Sequence, residues 1–416
     1  MARPIVLVAG RDPRGELSGG HSAYVRSHAL ALKAAGFEPH IFCAGRRSIV
    51  GNAAYGAVHR VASPVPSIRQ LLAPWHAPFL SRAIERFGAA CPQPVAVHSF
   101  GVWGYPGSRA VQRLRARGIP TVHVLSSYTT YEDEHRSKVD GLNPASGMIR
   151  GIMTRAAHLW VRLAVERYER EAYQAADAVL YNYESVRRLI EHHLTRSARL
   201  VRAPYTAETA FDDPAHQPRG AAIVPRGIAR LQPERAPLIL CISRHDPRKG
   251  TDTLLEALAR LRSRGIPFRA MLVGGGELLH VDRRTAAKLG LGVSCSIPGV
   301  VSDIRPYLAL ADVYVLPSRR EQSGSLALIE AMGAGRAIVA SSCDGIPEDV
   351  TDGVDAILTP PGDVVALAAA LERCLLDPSL RERLGAQAKA TFATRFSAAL
   401  VAGGLRDIYA SLGVTP

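Results

Sequence analysis

The feature of this sequence that most constrains its fold is a repeating unit: a short β-branched run, a turn containing glycine, and a stretch of helical period. The unit recurs through both halves of the chain, which predicts βαβ units and parallel sheets covered by helices. The predicted strands are 5–9, 39–43, 95–98, 121–125 and 178–181, then 238–243, 269–273, 313–316, 337–340 and 356–358. The predicted helices include 22–35, 159–174, 253–264, 326–334 and 397–412.

The length and the spacing of these units predict two domains. A chain of 416 residues exceeds the roughly 250–300 residues at which a single core stops growing. We predict an α/β fold with two Rossmann-like domains, 1–205 and 238–396. Segment 206–237 is rich in Pro, Gly, Asp and Arg and lacks sustained periodicity, so we expect a linker there. The last helical segment, 397–416, could pack back on the first domain.

Composition excludes several classes of protein. Hydrophobic residues form 47% of the chain and charged residues 21%, which is typical of a globular protein. The net charge of +14 favours a polyanionic partner, but the arginines are scattered rather than gathered in a tail or stripe, so we expect no nucleic acid partner. The six cysteines lie far apart without a C-x-x-C pair, which fits a reducing cytoplasm and disfavours a zinc site. We expect neither a signal peptide nor a transmembrane segment.

The most specific signal for chemistry is the loop at 242–250, with the sequence ISRHDPRKG. Arg244 follows the carboxyl end of a predicted strand, and Lys249 opens the next helix. Two cations and a helix N-terminus therefore meet at the edge where α/β sheets bind ligands. The loop predicts an anion site suited to a diphosphate.

A second candidate segment runs from 321 to 335, with the sequence EQSGSLALIEAMGAG. The turn at 323–325 can cap a helix and present backbone N–H groups to a ligand. Glu330 lies about two turns along that helix, among apolar neighbours, where an unpaired carboxylate is costly. A glycine pair at Gly19 and Gly20 also precedes a helix, but it is a weak signal because it does not form G-x-G-x-x-G.

These segments together resemble the retaining nucleotide-sugar glycosyltransferases of family four, which have the GT-B fold of two Rossmann-like domains facing a central cleft. The resemblance covers nearly the whole chain and depends on the order and spacing of seven motifs. They are Gly19-Gly20, Arg244 to Gly250, the glycines 274–276, 298–303, 311–318, 330–335 and 344–348.

The resemblance implies a role for each motif. Arg244 and Lys249 would hold the donor diphosphate, Glu330 the ribose, and the backbone near Val300 the base. The donor-binding residues implied in this way are Gly19, Gly20, Arg244, Lys249, Gly274, Val300, Glu321, Gln322, Ser323, Gly324, Ser325, Leu326 and Glu330.

The chain departs from the family pattern at two positions. Where the family pairs two glutamates eight positions apart, position 322 is Gln322, and the neighbouring glutamate is Glu321. In the family the first glutamate of the pair contacts the sugar. Either the loop is shifted by one residue and Glu321 makes this contact, or Gln322 makes it. Where the family has a histidine near the reacting sugar, six positions after a proline, this chain has Ser126.

The second departure leaves the acceptor side open. His98 ends a predicted strand and is a candidate for the cleft, whereas His123 is expected in the core. The candidate catalytic residues are Arg244, Lys249, His98 and Ser126, and the candidate sugar or acceptor contacts include Ser127, Tyr128 and Glu132.

The expected chemistry needs no metal and no cofactor beyond the nucleotide-diphosphate sugar, which is a co-substrate. The sequence has no D-x-D signature, so fixed cations are expected to stabilise the departing diphosphate. In the retaining route that the resemblance implies, the phosphate itself can accept the proton of the acceptor hydroxyl. The acceptor is a glycan, a lipid-linked molecule or a small-molecule glycoside.

The stretch 148–170 combines apolar residues at helical spacing with several arginines. Such a helix could lie on an anionic membrane, which would place the protein peripherally on the inner face. It could equally turn its apolar side to the core, and we favour this second interpretation. Two alternatives to the transferase also remain: a nucleotide-sugar-binding protein without catalysis and a hydrolysing nucleotide-sugar epimerase.

Overall fold

The computed structural model describes residues 2–10, 12–13, 20–65, 71–140, 148–195, 198–211, 227–321 and 324–416. The chain divides into two compact units, Met1–Phe211 with Ser397–Pro416, and Asp212–Phe396. Each unit contains a mainly parallel sheet with helices packed against it. This architecture confirms the predicted α/β class with two Rossmann-like domains.

The sheet of the first unit has the strand order β3-β4-β2-β1-β5-β6-β7-β8. All pairings are parallel except the antiparallel pair β3 and β4 at one edge. Its strands are β1 (Pro4–Ala9), β2 (Glu38–Gly45), β3 (Ile49–Ala53), β4 (Gly56–Ala62), β5 (Ala96–Phe100), β6 (Val122–Ser127), β7 (Ala178–Tyr181) and β8 (Leu200–Arg202). Its helices, before the chain leaves the unit, are α1 (Gly20–Ala34), α2 (Ala77–Ala90), α3 (Gly104–Ala116), α4 (Tyr131–Asp140), α5 (Met148–Trp160), α6 (Glu166–Ala175) and α7 (Glu184–His193).

The sheet of the second unit has the order β11-β10-β9-β12-β13-β14 and is parallel throughout its named strands. The strands are β9 (Leu238–Ile242), β10 (Arg269–Val273), β11 (Cys295–Gly299), β12 (Val313–Leu316), β13 (Ala337–Ser341) and β14 (Ile357–Thr359). The helices are α8 (Thr251–Ser263), α9 (Leu279–Lys288), α10 (Arg305–Leu310), α11 (Leu326–Gly333), α12 (Ile346–Asp349), α13 (Val364–Leu376) and α14 (Pro378–Arg395).

The chain then returns to the first unit with α15 (Ala398–Ala410). This helix packs against α1, and its buried side chains Val401, Leu405 and Tyr409 belong to the same core as Ile5 and Leu7 of β1. The C-terminal helix is therefore part of the core of the first unit.

The central strands are buried because both faces of each sheet are covered by helices, and their sequences are accordingly continuous apolar runs. Strand β1 is fully buried along its length, and so are β12 and β13. Burial of such runs is the main favourable contribution to folding, at about 25 cal/mol per Å² of apolar surface. The same packing fixes the carboxyl ends of the strands, from which the loops of the candidate site extend.

All ten predicted strands are present, and the structure adds β3, β4, β8 and β11. The segment 159–174, predicted as one helix, is divided in the structure. A single π-helical turn, Val161–Val165, interrupts it, so α5 ends at Trp160 and α6 begins at Glu166.

The orientation of α5 contradicts the interpretation that we favoured from the sequence. Its large apolar side chains are exposed, with Ile149 at 73% and Met153 at 66%, rather than turned to the core. Gly151 of α5 is buried, and so are Val161 and Val165 of the following π-helical turn. No helix within the described ranges is both long and apolar enough to cross a membrane.

Candidate functional site

The sheet of the second unit reverses its winding between β9 and β12. From β9 the chain proceeds through β10 to β11 on one side, and it then crosses to β12, β13 and β14 on the other. Such a reversal is called a topological switch point, and ligands of open α/β sheets bind there, beyond the carboxyl ends of the strands. The two loops that leave it, 243–250 and 317–325, are those that the sequence singled out.

Two glycines allow these loops to approach their neighbours closely. Gly250 has a φ of 62°, and a Cβ at this position would lie 2.1 Å from the carbonyl oxygen of Pro317. Gly274, after β10, has a φ of 143°, and a Cβ there would lie 1.9 Å from the carbonyl oxygen of Ser243. Since both positions combine positive φ with backbone contact, only glycine fits. The donor-binding role that the resemblance implies for Gly274 stays a prediction.

An ion pair joins the two loops. The Nζ atom of Lys249 lies 2.6 Å and 2.7 Å from the two carboxylate oxygens of Glu321. The Lys249 side chain is 16% exposed and that of Glu321 5% exposed. The hydroxyl of Ser318 also donates to Glu321 at 2.7 Å, and Asp344 accepts the Glu321 backbone N–H at 2.6 Å. The ammonium group is thus held in a fixed position at the end of the sheet.

Asp246 organises the other cations of the 243–250 loop. Its carboxylate lies 3.1 Å from Arg244 and 3.2 Å from Arg248, and it accepts the backbone N–H of Arg248 at 3.1 Å. Burial alone would raise the pKa of Asp246, but the charges of Arg248, Arg244 and Lys249 together lower it below its ordinary value. Arg248 is buried, whereas the Arg244 side chain is half exposed, so Arg244 is the guanidinium that a ligand can reach.

A buried triad supports the same loop from below. The His245 Nδ1 atom lies 2.6 Å from Asp282 Oδ2, and the hydroxyl of Thr251 donates to the same oxygen at 2.7 Å. The backbone of His245 also pairs with Gly275 and Leu278 of the β10–α9 loop. This triad was not predicted, because nothing in the spacing of His245 and Asp282 along the sequence shows that they meet. The position of Asp246 at the start of a helical turn could have been predicted, because an aspartate followed by a proline commonly begins such a turn.

The helix α11 begins at the cap that the sequence predicted. The Ser325 hydroxyl accepts a hydrogen bond from the backbone N–H of Leu328 at 3.3 Å. Gly324 and Ser325 are buried, and Leu326 is half-buried. Gln322 and Ser323 lie outside the described residues, so the predicted choice between Glu321 and Gln322 as the sugar contact stays open.

Tyr314, the second residue of β12, lies near Glu321 and Glu330. Burial raises the pKa of its hydroxyl well above the ordinary value, and the nearby Cys241 thiol and the carboxylates of Glu321 and Glu330 add to this rise, while a hydrogen bond with Ser325 lowers the pKa in part. Glu330 is half-buried on α11. The structure thus brings Glu321, Glu330 and the cap of α11 to one neighbourhood.

Val300 directly follows β11 and is exposed, and its side chain faces Gly275. It therefore belongs to the same edge of the sheet as Arg244 and Lys249. A base-binding role for its backbone stays a prediction.

The first unit has its own switch point, between β1 and β5. Gly20 is exposed and is the first residue of α1, which follows β1. Its position at a helix N-terminus suits the donor-binding role that the resemblance implies, since such an N-terminus can bind a phosphate. Gly19 lies outside the described residues.

His98 and Ser126 occupy a different setting from the one predicted for catalytic residues. His98 is completely buried, with Nδ1 2.6 Å from the hydroxyl of Tyr409 and Nε2 2.7 Å from that of Ser126. Burial, reinforced by His28 and His123, lowers the pKa of His98 well below its ordinary value. Because both ring nitrogens of His98 are engaged within the core, this geometry favours a structural role that ties α15 to β5 and β6.

The other candidates of the first unit are also enclosed. Ser127 is fully buried and accepts a hydrogen bond from the Tyr173 hydroxyl at 2.6 Å. Glu132 is buried and lies 3.7 Å from His158. His123, expected in the core, is completely buried beside Ser99 at 3.1 Å. Only Tyr128 of the predicted acceptor contacts is partly exposed.

Comparison with known proteins identifies two family regions. Residues 236–377 match the family described as Glycosyl transferases group 1, and residues 19–206 match the family described as Glycosyl transferase 4-like domain. The fold is similar to that of sucrose-phosphate synthase from Thermosynechococcus elongatus, with a TM-score of 0.72, 22% sequence identity and 99% of each chain covered.

Two curated relatives match shorter segments. The alpha-D-kanosaminyltransferase of Streptomyces kanamyceticus is 30% identical over 250 residues, which span 59% of this chain and 63% of that protein. The GDP-mannose-dependent alpha-(1-6)-phosphatidylinositol monomannoside mannosyltransferase of Mycolicibacterium smegmatis is 34% identical over 158 residues, which span 36% of this chain and 41% of that protein. The matches therefore span less than two thirds of the length of either relative.

Proposed function

Because this chain belongs to the GT-B glycosyltransferases of group 1, we propose that it transfers a hexose-type sugar from a nucleotide-diphosphate donor to a hydroxyl acceptor with retention of configuration. The observation that supports this proposal best is the Lys249–Glu321 ion pair. It joins the loops after β9 and β12 at the switch point of the second unit, beside the half-exposed Arg244.

The reaction breaks the bond between the anomeric carbon of the sugar and the terminal phosphate oxygen. The bonding electrons leave with the diphosphate, on which negative charge increases. The acceptor oxygen forms the new bond to the same carbon, and its proton passes to a phosphate oxygen. In this proposal Lys249 and Arg244 stabilise the leaving diphosphate, since fixed cations that need no rearrangement lower the barrier most effectively.

Binding of the diphosphate changes the electrostatics around Lys249. In the structure, Glu321 already neutralises the ammonium group at 2.6 Å. An incoming phosphate therefore shares Lys249 with Glu321, or the carboxylate turns to a sugar hydroxyl. In the second arrangement Glu321 couples recognition of the sugar to release of Lys249 for the phosphate.

We further propose that the reaction is independent of metal ions, since Arg244 and Lys249 supply positive charge where the leaving group develops its negative charge. Chelation with EDTA should then leave donor binding and turnover unchanged. Loss of turnover with EDTA and recovery with Mg²⁺ or Mn²⁺ would contradict this part of the proposal.

The relatives suggest donors and acceptors to try first. The mycolicibacterial relative is named as dependent on GDP-mannose and as acting on a phosphatidylinositol mannoside, whereas the other is named for transfer of kanosamine. The acceptor screen should therefore include lipid-linked glycosides and small-molecule glycosides. We place the reaction in the cytoplasm, in keeping with the six free cysteines.

The test measures release of nucleoside diphosphate from UDP-, GDP- and ADP-sugars with and without these acceptors, followed by NMR of the anomeric configuration of the product. Release that depends on an acceptor, with a retained anomer, supports the proposal. Tight donor binding without release with any acceptor would favour a binding protein without catalysis. Release in water alone, with a free epimerised sugar, would favour a hydrolysing epimerase.

A further inference from the structure

The segment from α5 through the following π-helical turn, residues 148–165, exposes a continuous apolar surface, which we call the α5 face. Ile149 and Leu163, near its two ends, are 73% and 72% exposed. Apolar side chains recur along it at intervals of three and four residues, which places them on one side of the helix. The large exposed members are Met148, Ile149, Ile152, Met153, Leu159, Trp160 and Leu163.

The opposite side of this segment packs on the first unit through small and β-branched residues. Gly151, Val161 and Val165 are buried there, and α5 packs against α4. The helix is therefore held in place by its other side. Exposed apolar patches of this extent on soluble domains generally mark a binding surface.

The formally charged residues of segment 148–165 itself have one sign. Residues 148–165 contain three arginines, at positions 150, 155 and 162, and no aspartate or glutamate. Arg155 and Arg162 are exposed, and on a helical projection they lie beside one edge of the apolar stripe. Neither pairs with an acidic residue of the described ranges, whereas Arg170, farther along, pairs with Glu166 at 2.8 Å.

Trp160 adds a side chain suited to a polar–apolar boundary. It is partly exposed, stacks on Trp75 with ring centroids 5.7 Å apart, and donates from its indole nitrogen to the Leu71 carbonyl at 3.1 Å. Tryptophans with one polar and one apolar end are enriched at the interface of lipid bilayers.

We propose that the α5 face binds the surface of a bilayer that contains anionic lipids, with the helix lying in the plane of the interface. The apolar side chains enter the boundary between headgroups and acyl chains, and Arg155 and Arg162 meet the lipid phosphates. Charge complementarity favours this occupant over a second copy of the chain, because two copies would bring like-charged arginines together across the contact. The proposal does not depend on the transferase activity.

The test is co-sedimentation of the full chain with phosphatidylcholine vesicles, with or without phosphatidylglycerol. We expect binding to the anionic vesicles and much weaker binding to phosphatidylcholine alone. Ile152→Ser/Leu163→Ser should lower the partition coefficient more than tenfold, since two aliphatic side chains leave the bilayer. Replacing Arg155 and Arg162 with Gln should lower it about fivefold per arginine, and only for the anionic vesicles.

Two matched controls lie elsewhere on the first unit. Leu400→Ser removes an apolar side chain of α15 that is 49% exposed, and Arg188→Gln removes an exposed charge on α7. Both should leave vesicle binding unchanged, and circular dichroism should show that all variants are folded. The proposal fails if the wild type does not bind anionic vesicles, or if the controls lose as much binding as the α5 variants. It also fails if sedimentation velocity shows a dimer that Ile152→Ser/Leu163→Ser dissociates while vesicle binding persists.

Discussion

At the scale of single residues, the ion pair between Lys249 and Glu321 couples stability to function. Both side chains are largely enclosed, so removal of one leaves the other as a poorly solvated charge. The same ammonium group is proposed to meet the diphosphate. Single substitutions at either position therefore change two properties at once, and a combination of variants is needed to separate them.

We expect Lys249→Ala to lower both the stability of the second unit and the rate. Loss of one partner of a largely buried pair should cost about 3–5 kcal/mol, and loss of a fixed stabiliser of the leaving group should lower turnover by ~10²–10³. Adding Glu321→Gln removes the uncompensated carboxylate. The double variant should regain much of the melting temperature but none of the turnover, which thermal melts and steady-state rates can measure. Near-normal turnover in a folded Lys249→Ala variant would show that the diphosphate binds elsewhere.

Glu321 offers a related prediction, because both of its oxygens contact Lys249. If it acted only on the sugar, Glu321→Ala would weaken the nucleotide-sugar and spare the bare nucleoside diphosphate. Since it also fixes Lys249, we expect calorimetric titration to show weaker binding of both ligands. Unchanged affinity for the bare diphosphate would show that Lys249 keeps its position without Glu321.

The buried triad of His245, Thr251 and Asp282 should affect donor binding by holding the 243–250 loop in position, not by touching the donor. Asp282→Ala leaves the His245 ring and the Thr251 hydroxyl without their shared acceptor, at a cost of about 2–4 kcal/mol for two buried groups. Asp282→Asn keeps one acceptor oxygen. We expect Asn to recover part of both the donor affinity and the melting temperature that Ala loses. Equal donor affinity in the wild type and in a folded Asp282→Ala variant would contradict the positioning role.

At the scale of elements, the sequence was sufficient to predict most strands, but it was not sufficient to predict which side of a helix is exposed. Strands such as β12 and β13 are uninterrupted apolar runs, which the sequence displays directly. Strands β3 and β4 contain glycine and alanine in place of such runs, β8 has three residues, and β11 includes Pro298, so their patterns were weak. The period of α5 gave its two sides correctly, but period alone does not tell which side the remaining structure covers.

In the candidate site, too, some residues could be located from the local sequence and others could not. Arg244 and Lys249 could be placed at a strand end from local sequence, because a strand followed by a helix defines that position. Their partners Glu321 and Asp282 come from other loops, which only the strand order brings together. The contact between His98 and Tyr409 could not be predicted, because the two residues lie far apart in the sequence and Tyr409 belongs to a helix that returns to the first unit.

The junction of α4 and α6 leads to a pH-dependent prediction. Glu169 is completely buried, and both carboxyl oxygens accept the Tyr131 backbone N–H, at 3.1 Å and 3.2 Å. Burial raises the pKa of Glu169 from 4.5 to about 8. The folded chain therefore keeps a proton that the unfolded chain loses above pH 4.5, so stability falls as the pH rises from about 4.5 to about 8.

Glu169→Gln should remove this dependence, because the amide keeps an acceptor and has no charge to bury. We expect the variant to exceed the wild type by a few kcal/mol near pH 8 and by little or nothing below about pH 4.5. Denaturant melts at several pH values would measure the difference, with Glu171→Gln, at an exposed position of α6, as the control. An equal gain at all pH values would contradict ionisation of Glu169 as the cause.

At the scale of the whole molecule, the path of the chain determines which residues complete the core of each unit. The second unit is continuous in sequence, whereas the first needs the last twenty residues to complete its core. Leu405 and Tyr409 are fully buried there, and the Tyr409 hydroxyl occupies one of the two nitrogens of His98. The first unit therefore cannot complete its core until the second has been synthesised.

Removing residues 397–416 should consequently destabilise the first unit and spare the second. The truncated chain loses the apolar contacts of α15 and leaves His98 Nδ1 without its partner in a fully buried position, which together should cost well over the 2–5 kcal/mol of one large buried side chain. Hydrogen exchange should increase in β1, β5 and β6 while β9 and β12 keep the protection they have in the full chain. Tyr409→Phe isolates the hydrogen bond and should cost about 1–3 kcal/mol, whereas Leu400→Ser, on the exposed side of the same helix, should cost little. If exchange in the first unit is the same with and without residues 397–416, α15 contributes nothing to its core, and the assignment of the C-terminal helix to that unit is wrong.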